Sequence, residues 1–172
     1  DYNDEKIISN SSCSANAMAP IMQMIDRHYG IKNTSVSMIH SYTSEQNLLD
    51  SKGASSDLRR SRSATQNILP LGSTATATLG VLFPHLKGKL YTKSIRVPIS
   101  ATTLYDFTLY VENPTDRERL NELFKIEAQE TLKNITATDE SCKVSSDYIH
   151  NRHSATIDLP LTEVLDGHCI KI

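Results

Sequence analysis

Apolar residues recur at three- and four-residue spacing at Met18, Ile21, Met22 and Ile25, which predicts an amphipathic helix. Ser9, Asn10, Ser11 and Ser12 precede it and are all good N-cap types, so the helix is expected to begin near Cys13. Tyr29 and Gly30 provide the stop, and Pro20 is the awkward interior residue. Ile7 and Ile8 read as a short strand feeding this helix. From 35 to 43 the pattern alternates, with Val36, Met38, His40 and Tyr42 on one side, and predicts a strand. Between Glu45 and Gly72 the periodicity disappears, which predicts a long irregular loop with one short helical turn at 47–50.

A second helix is expected over 76–83, ending at Pro84. Strands are expected over 93–98 and 103–112, pairing with each other, the second carrying Tyr105, Phe107, Leu109 and Val111 on one face. Thr115 and Glu118 form a capping box, after which Leu120, Leu123, Phe124 and Ala128 trace a third helix to about Lys133. Residues 143–148, 155–159 and 168–172 read as short strands. The pattern is α+β: a mainly antiparallel or mixed sheet with helices packed on one face. No internal repeat is present, and no Gly-x-Gly-x-x-Gly follows a strand, so a dinucleotide fold is not encoded in these residues.

The 172 residues, 38% of them hydrophobic, suit one domain spanning 1–172. A net charge of -2 gives no global attraction for nucleic acid or an anionic membrane, and no apolar run is long enough to span a bilayer. Three widely separated cysteines, Cys13, Cys142 and Cys169, fit neither a disulfide framework nor a zinc site. No metal, nucleic acid or membrane partner is expected, and a reducing cytoplasm is the expected compartment.

Cys13 lies where a helix starts, and the unpaired N–H groups of a first turn favour a thiolate. The plain alternative is a small buried hydrophobe, but hydroxyls on both sides suit a site that handles anions. His40 precedes the long polar loop and is the candidate general base. Arg59, Arg60 and Arg62 cluster in that loop, and three close arginines are more often a solvated face. Arg96, between Ile95 and Val97, is more telling, because a buried guanidinium needs an anion. Ser73, Thr74, Thr76 and Thr78 add hydroxyls, and hydroxyls with arginines suggest phosphate.

Residues 9–20, Ser-Asn-Ser-Ser-Cys-Ser-Ala-Asn-Ala-Met-Ala-Pro, resemble the S-N-A-S-C-T-T-N-C-L-A-P signature of glyceraldehyde-3-phosphate dehydrogenases. His40-Ser41-Tyr42-Thr43-Ser44-Glu45-Gln46 resembles their H-[AS]-Y-T-x-x-Q, and Asp57-Leu58-Arg59-Arg60-Ser61-Arg62 their D-L-R-R-A-R. Gly88-Lys89-Leu90 and Arg96-Val97-Pro98 match a G-K-L and an R-V-P, and 148–172 is similar to the stretch before the family's final W-Y-D-N-E.

The resemblance implies a catalytic domain that oxidises glyceraldehyde 3-phosphate to 1,3-bisphosphoglycerate through a cysteine thioester. NAD or NADP is the hydride acceptor and inorganic phosphate the co-substrate. Cys13 is then the nucleophile and His40 the group that activates it. Thr43 and Arg96 hold the substrate's phosphate, with Glu45 where an aspartate is usual. Ser12, Ser14, Arg60, Ser73 and Thr74 form the site for attacking phosphate, Ser14 and Ser73 standing where threonines are common and Thr74 where a glycine is. The resemblance places the nucleotide-binding domain and the final C-terminal segment outside these 172 residues, so the chain alone is not expected to reduce NAD. It also implies a homo-oligomer, a tetramer in the full-length protein. The alternatives are a D-erythrose-4-phosphate dehydrogenase domain, against which the Tyr42-Thr43 pair speaks, and a non-catalytic assembly module derived from the family.

Overall fold

The computed structural model describes residues 4–52 and 56–172; residues 1–3 of the polar opening and 53–55 of the long loop lie outside it. In chain order the elements are α1 (Cys13–Tyr29), β1 (Ile31–Ser41), β2 (Leu69–Gly72), α2 (Ala75–Leu82), β3 (Leu90–Val97) and β4 (Thr103–Val111). They continue with α3 (Arg117–Gln129), β5 (Thr136–Asp139), β6 (Ala155–Asp158), β7 (Glu163–Leu165) and β8 (Cys169–Lys171). Six strands form a mixed sheet in the order β2-β3-β1-β4-β8-β7, and β5 with β6 makes a separate parallel pair. The α+β expectation holds.

The helix α1 forms where its pattern and caps agree. The Ser12 side chain accepts from the Ala15 N–H at 3.1 Å, and Gly30 closes the other end at φ 67°, a conformation that costs a residue with a Cβ. Pro20 lies within the helix without ending it. Met18, Met22, Met24 and Ile25 are buried against Val36 and Met38 of β1 and Phe107, Leu109 and Val111 of β4, and Leu79, Leu120 and Phe124 from the other helices join the same core. Along β4 the alternate residues Leu104 and Tyr110 stay exposed, so the helix-free face of the sheet is open.

Several sequence expectations are corrected. The strands β3 and β4 do not pair with each other; β1 runs between them, parallel to β3 and antiparallel to β4. The connection 98–102 steps over the end of β1, where the Ser41 N–H donates to the Thr102 carbonyl at 3.2 Å. Five residues easily cross the two inter-strand spacings of about 10 Å that this requires. Ile7 and Ile8 form no strand: they are 91% and 75% exposed, with no sheet neighbour among the described residues. No helical turn forms at 47–50, and 143–148 contains a 3-10 turn, Ser145–Tyr148, in place of a strand. The third helix starts one residue later than a Thr115 cap would set, because the Asp116 carboxylate accepts from the Arg119 N–H at 2.8 Å. It also ends at Gln129, short of Lys133.

Candidate active site

The path of α1 and β1 decides which residues meet. A helix of 17 residues advances about 25 Å, and the 11-residue strand that follows Gly30 returns about 36 Å. The end of β1, with His40 and Ser41, therefore comes back to the start of α1, where Cys13 is the first helical residue and is exposed. The plain reading of Cys13 as a buried hydrophobe does not hold. His85, just beyond α2, lies 3.2 Å from the carboxylate of Asp26 near the C-terminus of α1. The C-terminal ends of the two helices thus lie together, with Ser73 and Thr74 at the opposite, N-terminal end of α2. Ser73 Oγ accepts from the Ala75 N–H at 3.1 Å, whereas Thr74 precedes the helix without a side-chain cap bond.

His40 and Arg96 are register partners on β1 and β3. Arg96 Nη1 lies 2.6 Å from His40 Nδ1 and donates to the Ser41 carbonyl at 2.9 Å, and that carbonyl is also 2.6 Å from Nδ1. Burial first, and the Arg96 charge with it, hold the imidazole below its ordinary pKa against the upward pull of the Ser41 carbonyl. A neutral ring beside a fixed cation is a proton acceptor.

Arg96 is half-buried, and burial works against its charge. Glu45, Arg60, Cys13 and Tyr105 are all close enough to act on it electrostatically. Arg96 makes no ion pair with a carboxylate among the described residues, and its Nε is buried without a partner. Glu45 instead pairs with Arg60, so the carboxylate from one expected phosphate site rests on the guanidinium of the other. Thr43 is held by Gln46, whose carbonyl accepts from the Thr43 N–H at 2.8 Å and hydroxyl at 3.1 Å, leaving the buried Gln46 Nε2 as another unpartnered donor. Buried donors without acceptors are costly, and an oxyanion satisfies them.

The structure thus sets Cys13, Glu45, Arg60 and Tyr105 within electrostatic reach of Arg96, places His40 against Arg96, and leaves Ser12 as the helix cap. Sequence reasoning missed Gln46 and Tyr105. Tyr105 lies within electrostatic reach of Arg96 and Cys13, an arrangement hidden once β4 was expected beside β3, although its alternation with Phe107 already placed it on the helix-facing side. Among the described residues no cluster of three or more His, Cys, Asp or Glu could hold a metal, and no helix is long and apolar enough to cross a membrane.

The α+β domain thus sets a helix-terminal thiol within electrostatic reach of a half-buried arginine that contacts a histidine. Residues 12–172 match the family model described as the glyceraldehyde 3-phosphate dehydrogenase, C-terminal domain. The chain is 39% identical over 163 residues to the glyceraldehyde-3-phosphate dehydrogenase of Mycobacterium avium, covering 95% of this chain and 48% of that protein. It is 38% identical over 166 residues to that of Helicobacter pylori strain J99, covering 96% and 50%, and 38% identical over 172 residues to glyceraldehyde-3-phosphate dehydrogenase 2 of Trichormus variabilis, covering 100% and 50%. The chain belongs to the glyceraldehyde-3-phosphate dehydrogenase family, in its C-terminal domain, and spans about half the length of the curated relatives it matches.

Proposed function

We propose that the protein containing this chain is a phosphorylating glyceraldehyde-3-phosphate dehydrogenase, working in the cytoplasm as a homo-tetramer, and that these residues form its single catalytic domain. Cys13 adds as thiolate to the aldehyde carbon, its proton passing to the neutral imidazole of His40. The oxygen that becomes anionic is stabilised by the same histidine. As the C–H bond breaks, that oxygen reforms a carbonyl and leaves a thioester on Cys13; bound NAD or NADP supplies the hydride acceptor. An oxygen of inorganic phosphate then attacks the thioester, the Cys13 thiolate departs, and the product is the acyl phosphate 1,3-bisphosphoglycerate. Thr43 and Arg96, with Glu45 nearby, hold the substrate's own phosphate, and Ser12, Ser14, Arg60, Ser73 and Thr74 hold the attacking one.

The strand-to-helix connections at 73–74 and 112–116 contain no glycine and form no cradle for a dinucleotide's pyrophosphate. The roles given to this chain's residues therefore stop at binding, thiol chemistry and proton movement.

The observation that carries the reading is Arg96: a half-buried cation with an unpartnered Nε, register-paired with His40 and within electrostatic reach of Cys13. The test is turnover of glyceraldehyde 3-phosphate with NAD and phosphate by the whole protein. Cys13→Ser is expected to lower kcat by more than about a thousandfold, and His40→Asn by about a hundredfold or more. A Cys13→Ser enzyme within tenfold of wild type overturns the mechanism, and faster turnover of erythrose 4-phosphate overturns the substrate.

A further inference from the structure

Asn16, in the first turn of α1, reaches back to the chain that leads up to Cys13. Its side-chain Nδ2 donates to the carbonyls of Asn10 at 2.5 Å and Ser12 at 2.9 Å, and its backbone N–H donates to the same Ser12 carbonyl at 3.0 Å. A carbonyl oxygen only accepts, so the NH2 end of the amide faces both, and its two protons are spent there. The turn held in this way is strained. Ser11, between the two gripped carbonyls, sits at φ 60°, a left-handed conformation that costs a residue with a Cβ.

Packing does not set the path of this approach, because residues 4–11 are all exposed, and the Ser11 N–H donates to a near neighbour, Ser9 Oγ, at 3.1 Å. Ser12 caps the helix through its hydroxyl, and the Asn16 amide fixes the carbonyl of the same residue. Cys13 follows at once as the first helical residue, where unpaired N–H groups and the helix dipole act on its thiol. The turn also walls a cavity of about 360 Å³ at Cys13, lined by Asn10, Ser11, Ser12, Asn16 and, from just before β6, Ser154. A frayed turn therefore both moves the thiol off the helix end and reshapes the space in front of it.

We infer that Asn16 is a positioning residue: its amide locks the strained turn at Ser11 and so holds the Cys13 thiol at the helix end that activates it. The inference rests on the proposed role of Cys13 as the nucleophile.

The experiment uses the whole protein and reads turnover of glyceraldehyde 3-phosphate and iodoacetamide labelling of Cys13 at neutral pH. Cys142 labelling and the thermal midpoint are the folding controls. Asn16→Ala removes the clamp, and Asn16→Asp keeps its shape but turns an oxygen toward both carbonyls. Each is expected to lower kcat at least about tenfold with KM within about threefold of wild type. Each is also expected to slow Cys13 labelling about three- to tenfold, with Cys142 within about twofold. Cys13 is already exposed, so loosening the turn gains it little access. Ser11→Gly is the independent check: glycine takes φ 60° without strain, so adding it to Asn16→Ala is expected to recover at least about threefold of the lost kcat. A kcat and a Cys13 rate both within about twofold of wild type in Asn16→Ala overturn the inference. So do a labelling loss matched at Cys142 and a kcat loss that Ser11→Gly leaves untouched. Should the wild-type protein turn over no glyceraldehyde 3-phosphate, the functional reading falls, and the Cys13 rate of the Asn16 variants still decides the inference.

Discussion

Arg96 and His40 face each other across the parallel pair β3 and β1, with Nη1 2.6 Å from Nδ1. The contact ties a permanent cation to a histidine at the end of β1. Burial and the guanidinium both disfavour the imidazolium. The unfolded chain therefore takes up this proton first as pH falls. The contribution of His40 to stability is complete above the free-imidazole range and is lost as pH drops from there through the folded value. Arg96→Gln removes one of the two causes, so the His40 titration is expected to move upward in histidine ring NMR spectra. An unchanged or lower value contradicts the pairing.

Glu45 competes with any anion for Arg60, because the two form an ion pair in which the Arg60 side chain is 23% exposed and that of Glu45 65%. Glu45→Gln is expected to free the guanidinium and lower the phosphate concentration that half-affects Cys13 labelling by about two- to fivefold, the range of a partly exposed ion pair. A rise in that concentration instead means that Glu45 holds Arg60 in place for the anion.

Away from the site, Glu127 of α3 is buried and binds Arg27 and His28 at the end of α1. Burial acts to raise its carboxyl, but hydrogen bonds from Arg27 and then His28 outweigh this and hold it below the usual carboxylate range. The stability it contributes is present above the free-carboxylate range and is lost as pH falls through the folded value. Both partners are about half exposed and regain water, so Glu127→Gln is expected to cost about 1–2 kcal/mol at neutral pH. Urea unfolding at neutral pH and at pH about 3 checks this: the difference between variant and wild type shrinks in acid, and a constant difference contradicts the charge argument.

Phe107 is 1% exposed on β4, opposite Val36 of the central strand β1. Phe107→Ala is expected to destabilise the chain by about 3–5 kcal/mol, read from the denaturation midpoint. A loss below about 1 kcal/mol is incompatible with a core site that cannot collapse.

The sequence shows most clearly what depends on local pattern. The helix α1 carries its own caps and apolar stripe, and β4 its own alternation, so both were legible within a few residues. Strand partners were not, because a five-residue connection suits a hairpin as well as a step across a third strand, and only the pairing of β1 along both of its edges separates the two. Short strands such as β5 (Thr136–Asp139) and β7 (Glu163–Leu165) hold too few residues to show a period and exist because a neighbour offers hydrogen bonds. Ile7 and Ile8 are the converse, an apolar pair without such a neighbour among the described residues. The candidate residues Cys13, His40 and Arg96 were visible through their chemistry, whereas Gln46 holds Thr43 through contacts that only the loop path creates.

The most direct test of the account is the comparative iodoacetamide labelling of the three cysteines near neutral pH, read by peptide mass spectrometry with and without phosphate. Cys142 is the internal control, since it is as free and exposed as Cys13 but lies in a loop at φ 52°, away from any α-helix start. The account predicts that Cys13 labels at least about tenfold faster than Cys142 or Cys169 and that phosphate changes the Cys13 rate alone. Equal rates at Cys13 and Cys142, with no response to phosphate, would contradict Cys13 as the nucleophile of this domain.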